Sequence, residues 1–196
     1  MSQYKVAVVV GSLRKESFNA KLAKALQSLA PGELTFERLR IDDLPLYNQD
    51  DDGSPAAPVQ RIKSQIAGSQ ALLFVTPEYN RSIPGVLKNA IDHASRPYGQ
   101  NAWANKPAGV LGISIGSIGT AVAQQHLKSI MSFCNAPIMN EIEAYIQFTD
   151  ELLDDDDNVA NESSKQFLSD WMRTYEDFVR RVLTVIPKPD GGTAAS

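Results

Sequence analysis

The stretch AVVVGSLRKESFN, Ala7–Asn19, decides how the rest of the chain is read. A short valine run stops at Gly11. A serine, two bases, a second serine and an asparagine follow before helical periodicity sets in. An apolar run this short, β-branched and closed by glycine, predicts a buried strand over Tyr4–Val10. The next segment, Ser17–Leu29, carries Leu22, Ala25, Leu26 and Leu29 at helical spacing and predicts a helix. The N–H groups at a helix start are unpaired and carry partial positive charge, so a strand, loop and helix in this order can hold an anion. Ser12, Ser17 and Asn19 add side-chain donors there, and Arg14 adds a full charge. A plain helix cap by Ser17 or Asn19 is the competing reading of the same residues. Lys15 is followed by Glu16, not by Ser or Thr, and G-x-G-x-x-G is absent, so neither a P-loop nor a dinucleotide fingerprint is present. Hydroxyls, one amide and one arginine suit a single terminal phosphate better than a pyrophosphate.

Working outward, the strand–helix pattern repeats. Strands are predicted at Thr35–Ile41, Ala71–Thr76, Ala108–Ile115 and, with irregularities, Pro137–Phe148. Helices are predicted at Val59–Ala67, Pro84–Ser95, Thr120–Cys134 and Glu162–Leu183. Asp42–Pro58 is rich in Pro, Asp and Gly and reads as a loop, and Asp150–Ala160 as a polar loop. In the last helix Phe167, Leu168, Trp171, Met172, Tyr175, Phe178, Val179 and Val182 form one apolar stripe, expected to be core or interface. Five alternations imply an α/β fold: a flavodoxin-like, doubly wound, five-stranded parallel sheet of order 2-1-3-4-5 with helices on both faces. One domain is expected over residues 1–186, with a disordered tail over residues 187–196, PKPDGGTAAS.

In that strand order strands 1, 3 and 4 are neighbours, and ligands bind outside their carboxyl ends. The loops leaving them are the chemically unusual ones: GSLRKESFN, PEYNRSIPG and GSIG. In the second, Pro77 and Pro84 bracket a rigid segment whose backbone N–H and C=O groups can meet a planar ring with polar edges. Tyr79 and Ile83 are candidates to lie against that ring. Glu78 alone reads more readily as a surface charge, and Lys88, Asn89 and Asp92 as packing or interface residues.

Composition removes other classes. The chain has 196 residues, 43% of them hydrophobic, enough for a sizeable core. A formal net charge of −4 does not favour nucleic acid or an anionic membrane. No stretch is long enough to span a bilayer, and no secretion signal is legible at the start. Cys134, the single cysteine, excludes an internal disulfide, suits a reducing cytoplasm and reads as a buried apolar residue. The two histidines and one cysteine lack metal-ligand spacing. A calcium loop starting at Asp154 fails because Val159 stands where glycine is needed and Lys165 where the bidentate glutamate belongs.

GSLRKESFN followed by TPEYNRSIPGVLKNAIDHAS resembles the NAD(P)H-dependent FMN reductase family, and within it the bacterial quinone and chromate reductases. The resemblance covers roughly Lys5–Phe148. It implies that Ser12, Arg14, Ser17 and Asn19 hold the FMN phosphate and that Pro77, Glu78, Tyr79 and Asn80 hold the isoalloxazine and ribityl. It also brings Ser114, Gly116 and Ser117 to the pyrimidine side, where the Gly116 and Ser117 N–H groups would stabilise charge. Hydride would pass from NADPH or NADH through FMN to an acceptor by a ping-pong sequence, with no protein nucleophile. Quinones, chromate, free flavins and azo compounds all fit an exposed flavin. The resemblance further implies a cytoplasmic homodimer or homotetramer, which makes the aromatic residues of RPYGQNAWANKP, Tyr98 and Trp103, candidate interface anchors. The chain departs from some relatives, which carry arginine and tyrosine near Val122 and Gln125; that bears on substrate range and assembly.

Two other functions compete. GISIG, Gly112–Gly116, matches the nucleophile elbow of a hydrolase with Ser114 as nucleophile. The only later histidine is His126, with no acid between them, so the Ser–acid–His order fails. An electron-carrying flavodoxin would prefer a more acidic face.

Overall fold

The computed structural model describes residues 3–186. The expected tail lies outside them. β1 (Tyr4–Val10) is followed by α1 (Phe18–Leu29), β2 (Leu34–Arg38), α2 (Ala57–Ala67), β3 (Ala71–Val75), α3 (Gly85–Ala94), β4 (Ala108–Ser114), α4 (Ala121–Phe133), β5 (Tyr145–Gln147) and α5 (Glu162–Val185). The sheet is parallel throughout, in the order β2-β1-β3-β4-β5.

Side chains of a strand alternate between faces, and β1 shows what each face buries. Val6, Val8 and Val10 join Leu22 and Leu26 of α1 and Leu168, Trp171, Tyr175 and Val179 of α5. Ala7 and Val9 face the other way, with Ile62 and Ile66 of α2, Leu87 and Ile91 of α3 and Leu127 of α4. Leu168, Trp171, Met172, Tyr175 and Val179 of the α5 stripe are therefore core, while Phe167 at its start is exposed. The stripe packs directly on the backbone of β4: a Cβ on Gly109 would lie 2.7 Å from Trp171 and 2.8 Å from Tyr175. The Tyr175 hydroxyl donates to the Leu72 carbonyl at 2.8 Å, which satisfies a polar group that the core would otherwise strand.

Three expectations change. The fifth strand is not continuous over Pro137–Phe148. Ala108 exchanges hydrogen bonds with Pro137 and Met139, pairing lapses, and the ladder resumes only at Tyr145. Between the bridge at Ile138 and the pair at Tyr145 the edge segment advances seven residues while β4 advances four, from Ala108 to Gly112, so its two ends meet β4 out of register. Trp103 is not an exposed anchor. It is fully buried, its indole N–H donates to the Ile91 carbonyl at 3.0 Å, and its ring lies 5.7 Å from that of Phe74. Tyr98 is the exposed aromatic of that loop, at 94%. Ile83, a candidate for the ring site, is buried in the core cluster under α3. The expected loop Asp42–Pro58 holds one 3-10 turn, Gln49–Asp51. Asn89 pins that loop to α3, accepting from the Tyr47 N–H and donating to the Pro45 carbonyl, both at 2.8 Å.

Candidate active site

The carboxyl ends of β1, β3 and β4 close on one another with no room for side chains. Thr76, the first residue after β3, is buried between two glycines. A Cβ on Gly11 would stand 2.5 Å from the Thr76 hydroxyl, and one on Gly112 would stand 1.9 Å from the Thr76 carbonyl oxygen. This close approach draws the three unusual loops to a common edge.

The first loop leads into the start of α1. Ser17 caps α1, its hydroxyl accepting from the Ala20 N–H at 3.3 Å, and the Ser12 hydroxyl accepts from the Arg14 N–H at 3.3 Å. Ser12 and Ser17 are both buried. Among the described residues, no acceptor pairs with the N–H groups of Lys15, Glu16, Ser17 or Phe18. Those N–H groups, two hydroxyls with donor capacity left over and the exposed Arg14 fit one phosphate monoester. The Arg14 guanidinium lies 5.6 Å from the centre of the Phe18 ring, which orients it without neutralising it.

Asn19 does something else. Its side-chain amide accepts from the Ile113 N–H at 3.0 Å and donates to the Ile113 carbonyl at 2.9 Å, and the residue is buried. Both ends of the amide thus join α1 to β4, and one of the two Nδ2 hydrogens is left over. Asn19, a candidate phosphate donor, therefore also ties the start of α1 to β4.

The second loop is a miniature hairpin. Tyr79 and Ser82 exchange N–H···O=C bonds at 2.9 and 3.0 Å, and the two residues between them, Asn80 and Arg81, both have positive φ, 51° and 62°. This is the arrangement of a type I′ turn, which Asn tolerates and Arg occupies only against steric cost. Glu78 holds Arg81 in place with an ion pair at 3.0 Å. The same carboxylate, 6% exposed, accepts from the N–H groups of Val122 and Ala123 at 3.0 Å each. Glu78 is therefore no surface charge: it caps the positive end of α4 and binds the second loop to the third. Tyr79 is half exposed.

In the third loop the Ser114 hydroxyl accepts from the Gly116 N–H at 3.2 Å. Gly119, at φ 59°, lies so close to β5 that a Cβ would be 2.7 Å from the Ile146 nitrogen. Glu78, Asn80, Arg81, Ser114, Gly116 and Gly119 all line one open cavity of about 220 Å³, while Ser12 and Arg14 border another of about 310 Å³. Of the sequence candidates, Glu78, Asn80, Ser114 and Gly116 thus converge on one space. Arg81, Ile118 and Gly119 also line it and were not named as candidates, although all three stand inside the quoted loops PEYNRSIPG and GSIG. Nothing supports a serine nucleophile. The His126 ring bonds the Ser82 hydroxyl at 3.0 Å, and the His93 ring bonds the Pro45 carbonyl at 2.8 Å.

The family model described as NADPH-dependent FMN reductase matches residues 4–151. The chain belongs to the NADPH-dependent FMN reductase family. It is 48% identical over 176 residues to a 2-hydroxy-1,4-benzoquinone reductase of Burkholderia sp, covering 90% of this chain and 96% of that one. It is 37% identical over 182 residues to a quinone reductase of Escherichia coli K12, covering 90% and 96%. Among solved structures it resembles FerB, a flavoenzyme NAD(P)H:(acceptor) oxidoreductase from Paracoccus denitrificans, with a TM-score of 0.88 and 48% identity over 91% of this chain and 98% of that one. As a member of the FMN reductase family, the protein is an oxidoreductase that uses FMN and a nicotinamide nucleotide.

Proposed function

We propose that the protein reduces quinones at the expense of NADPH or NADH in a ping-pong sequence. The observation that carries the reading is the junction of β1, β3 and β4: a loop fit for one phosphate monoester stands beside two loops locked together by Glu78. Bound FMN would supply the two-electron chemistry, accepting a hydride from the nicotinamide and delivering it to the acceptor. The protein's residues bind and orient. The N–H groups from Lys15 to Phe18, with Ser12, Ser17 and Arg14, take the phosphate. Pro77, Tyr79 and Asn80 present backbone and one aromatic face to the ring. On the exposed third loop the Gly116 N–H is already bonded to the Ser114 hydroxyl, so the Ser117 N–H is the donor that can meet negative charge developing on the pyrimidine edge.

Quinones are favoured as acceptors because two similar proteins carry that activity in their names. Chromate, free flavins and azo compounds remain substrates of the same open site. No helix among the described residues is long and apolar enough to cross a membrane. Cys134 is buried, which pushes its thiol pKa up and keeps it unreactive. A homodimer or homotetramer is part of this reading, with the exposed Tyr98 as the remaining candidate anchor; light scattering at low micromolar concentration tests it.

The deciding experiment is the visible spectrum of the purified protein, before and after anaerobic NADPH and then with a quinone. A flavin spectrum that bleaches with NADPH and returns with quinone is expected, and the flavin released on denaturation is expected to be FMN. Release of FAD, or failure to take up any flavin on reconstitution, would overturn the reading.

A further inference from the structure

The cavity of about 310 Å³ bordered by Ser12 and Arg14 does not extend toward the second and third loops. It runs the other way, across β1 to the end of β2, where Leu13, Arg38, Arg40, Ile41 and Asp42 complete it. Three guanidiniums against one carboxylate leave two positive charges, in a protein whose net charge is −4. They are not equivalent. Arg40 is bound in a fork by Asp42, at 2.9 and 3.2 Å, and lies 3.6 Å from Asp43. Arg14 lies over Phe18. Arg38, exposed at the last position of β2, has no acidic or hydrogen-bonding side-chain partner among the described residues.

One FMN phosphate accounts for Arg14 and the α1 N–H groups. It does not account for a second uncompensated arginine on the far side of β1 from β3. We propose that this cavity is the subsite for the adenosine-phosphate end of NADPH, with Arg38 reading the 2′-phosphate. The proposal rests on the oxidoreductase reading and extends it to the choice of co-substrate. NADPH and NADH differ only in that phosphate, a dianion that a planar guanidinium meets with paired hydrogen bonds. Leu13, half exposed at the cavity's rim, offers apolar surface to an adenine. The volume is at the low end of the roughly 300–1,000 Å³ usual for small-molecule sites, enough for part of a dinucleotide. Reach is adequate too. β2 and β4 stand three strand spacings apart, roughly 14 Å at about 4.8 Å per step, a span an extended dinucleotide covers.

The test compares wild type with Arg38→Ala and Arg38→Lys, all loaded with FMN. Binding of 2′,5′-ADP, with 5′-AMP as control, is measured by calorimetry, and KM is measured for NADPH and NADH. Wild type is expected to bind 2′,5′-ADP at least tenfold more tightly than 5′-AMP. Arg38→Ala removes that difference, and Arg38→Lys restores part of it. The ratio of KM for NADPH to KM for NADH rises about tenfold in Arg38→Ala, and added salt shrinks the effect. Equal losses for both nucleotides would assign Arg38 to the pyrophosphate and overturn the proposal. Weakened FMN binding would assign it to the flavin phosphate and overturn it as well. Unchanged 2′,5′-ADP binding with intact turnover would sink the subsite alone. A protein that takes up FMN but is reduced by neither nucleotide would sink the oxidoreductase reading itself.

Discussion

Replacing Asn19 by alanine separates a structural role from a cofactor role at one residue. The side chain makes two buried hydrogen bonds to Ile113, 94 positions away, at 2.9 and 3.0 Å. β3 ends at Val75, so the amide of Asn19 gives Ile113 the paired bonds that a neighbouring strand would otherwise provide. Alanine leaves an N–H and a C=O buried without partners, at about 1–3 kcal/mol each. Water entering the vacated space recovers part of that, so a loss of about 3 kcal/mol is expected. For a chain of this length this corresponds to roughly 6–12 °C in Tm. Asn19→Asp is expected to lose nearly as much, because a carboxylate would face the Ile113 carbonyl. The assay is urea unfolding of the flavin-free protein followed by circular dichroism, with FMN titrated in parallel by fluorescence. Flavin-free stability unchanged within about 0.5 kcal/mol, the usual scatter of surface substitutions, together with a large loss of FMN affinity, would refute the structural role and leave Asn19 as a phosphate ligand only.

Other predictions follow from the same geometry. Glu78→Ala removes two bonds to the start of α4 and the Arg81 ion pair, and is expected to cost about 2 kcal/mol in urea unfolding. Glu78→Gln, which keeps an acceptor oxygen, is expected to cost less, and equal losses for the two would show that capping is not the reason. Arg14→Ala is expected to weaken FMN by roughly 1.5–3 kcal/mol while leaving riboflavin binding unchanged; an equal loss for riboflavin in a fluorescence titration would place Arg14 away from the phosphate. Steady-state kinetics with NADPH and a quinone are expected to give parallel double-reciprocal lines, and intersecting lines would show that both substrates bind together. Glu176 carries a buried oxygen without a partner, and burial, then the nearby Glu33, raises its pKa. A carboxyl raised on folding stabilises while protonated, and that contribution is lost as pH rises through its folded pKa. Glu176→Gln is therefore expected to stabilise above the folded pKa of Glu176 and to lose that advantage as pH falls below the usual carboxylate range; an equal gain across the whole pH range in thermal unfolding would rule out the titration.

Features that depend on near neighbours along the chain are legible before any fold is known. The valine run of β1 and the apolar stripe of α5 announce strand and helix through spacing alone, and alternation of such elements fixes a parallel sheet. That sheet order in turn names the three loops that share its edge, because connection rules are local and directional. The choice of partner for a polar side chain is different. Asn19 and Ser17 stand two positions apart in one motif and look alike as donors, yet one is tied to Ile113 and the other caps its own helix. Glu78 reads as a surface charge until α4 brings two bare N–H groups within 3.0 Å of it. Trp103 sits in a loop of Gly, Asn and Pro, and only the approach of Phe74 and the Ile91 carbonyl buries it. Arg38 and Arg14 are 24 positions apart, and adjacent parallel strands set them around one cavity. A hydrogen bond or an ion pair acts over a few ångströms, and residues brought that close by folding leave no trace in the spacing of the sequence, so tertiary structure alone assigned these roles.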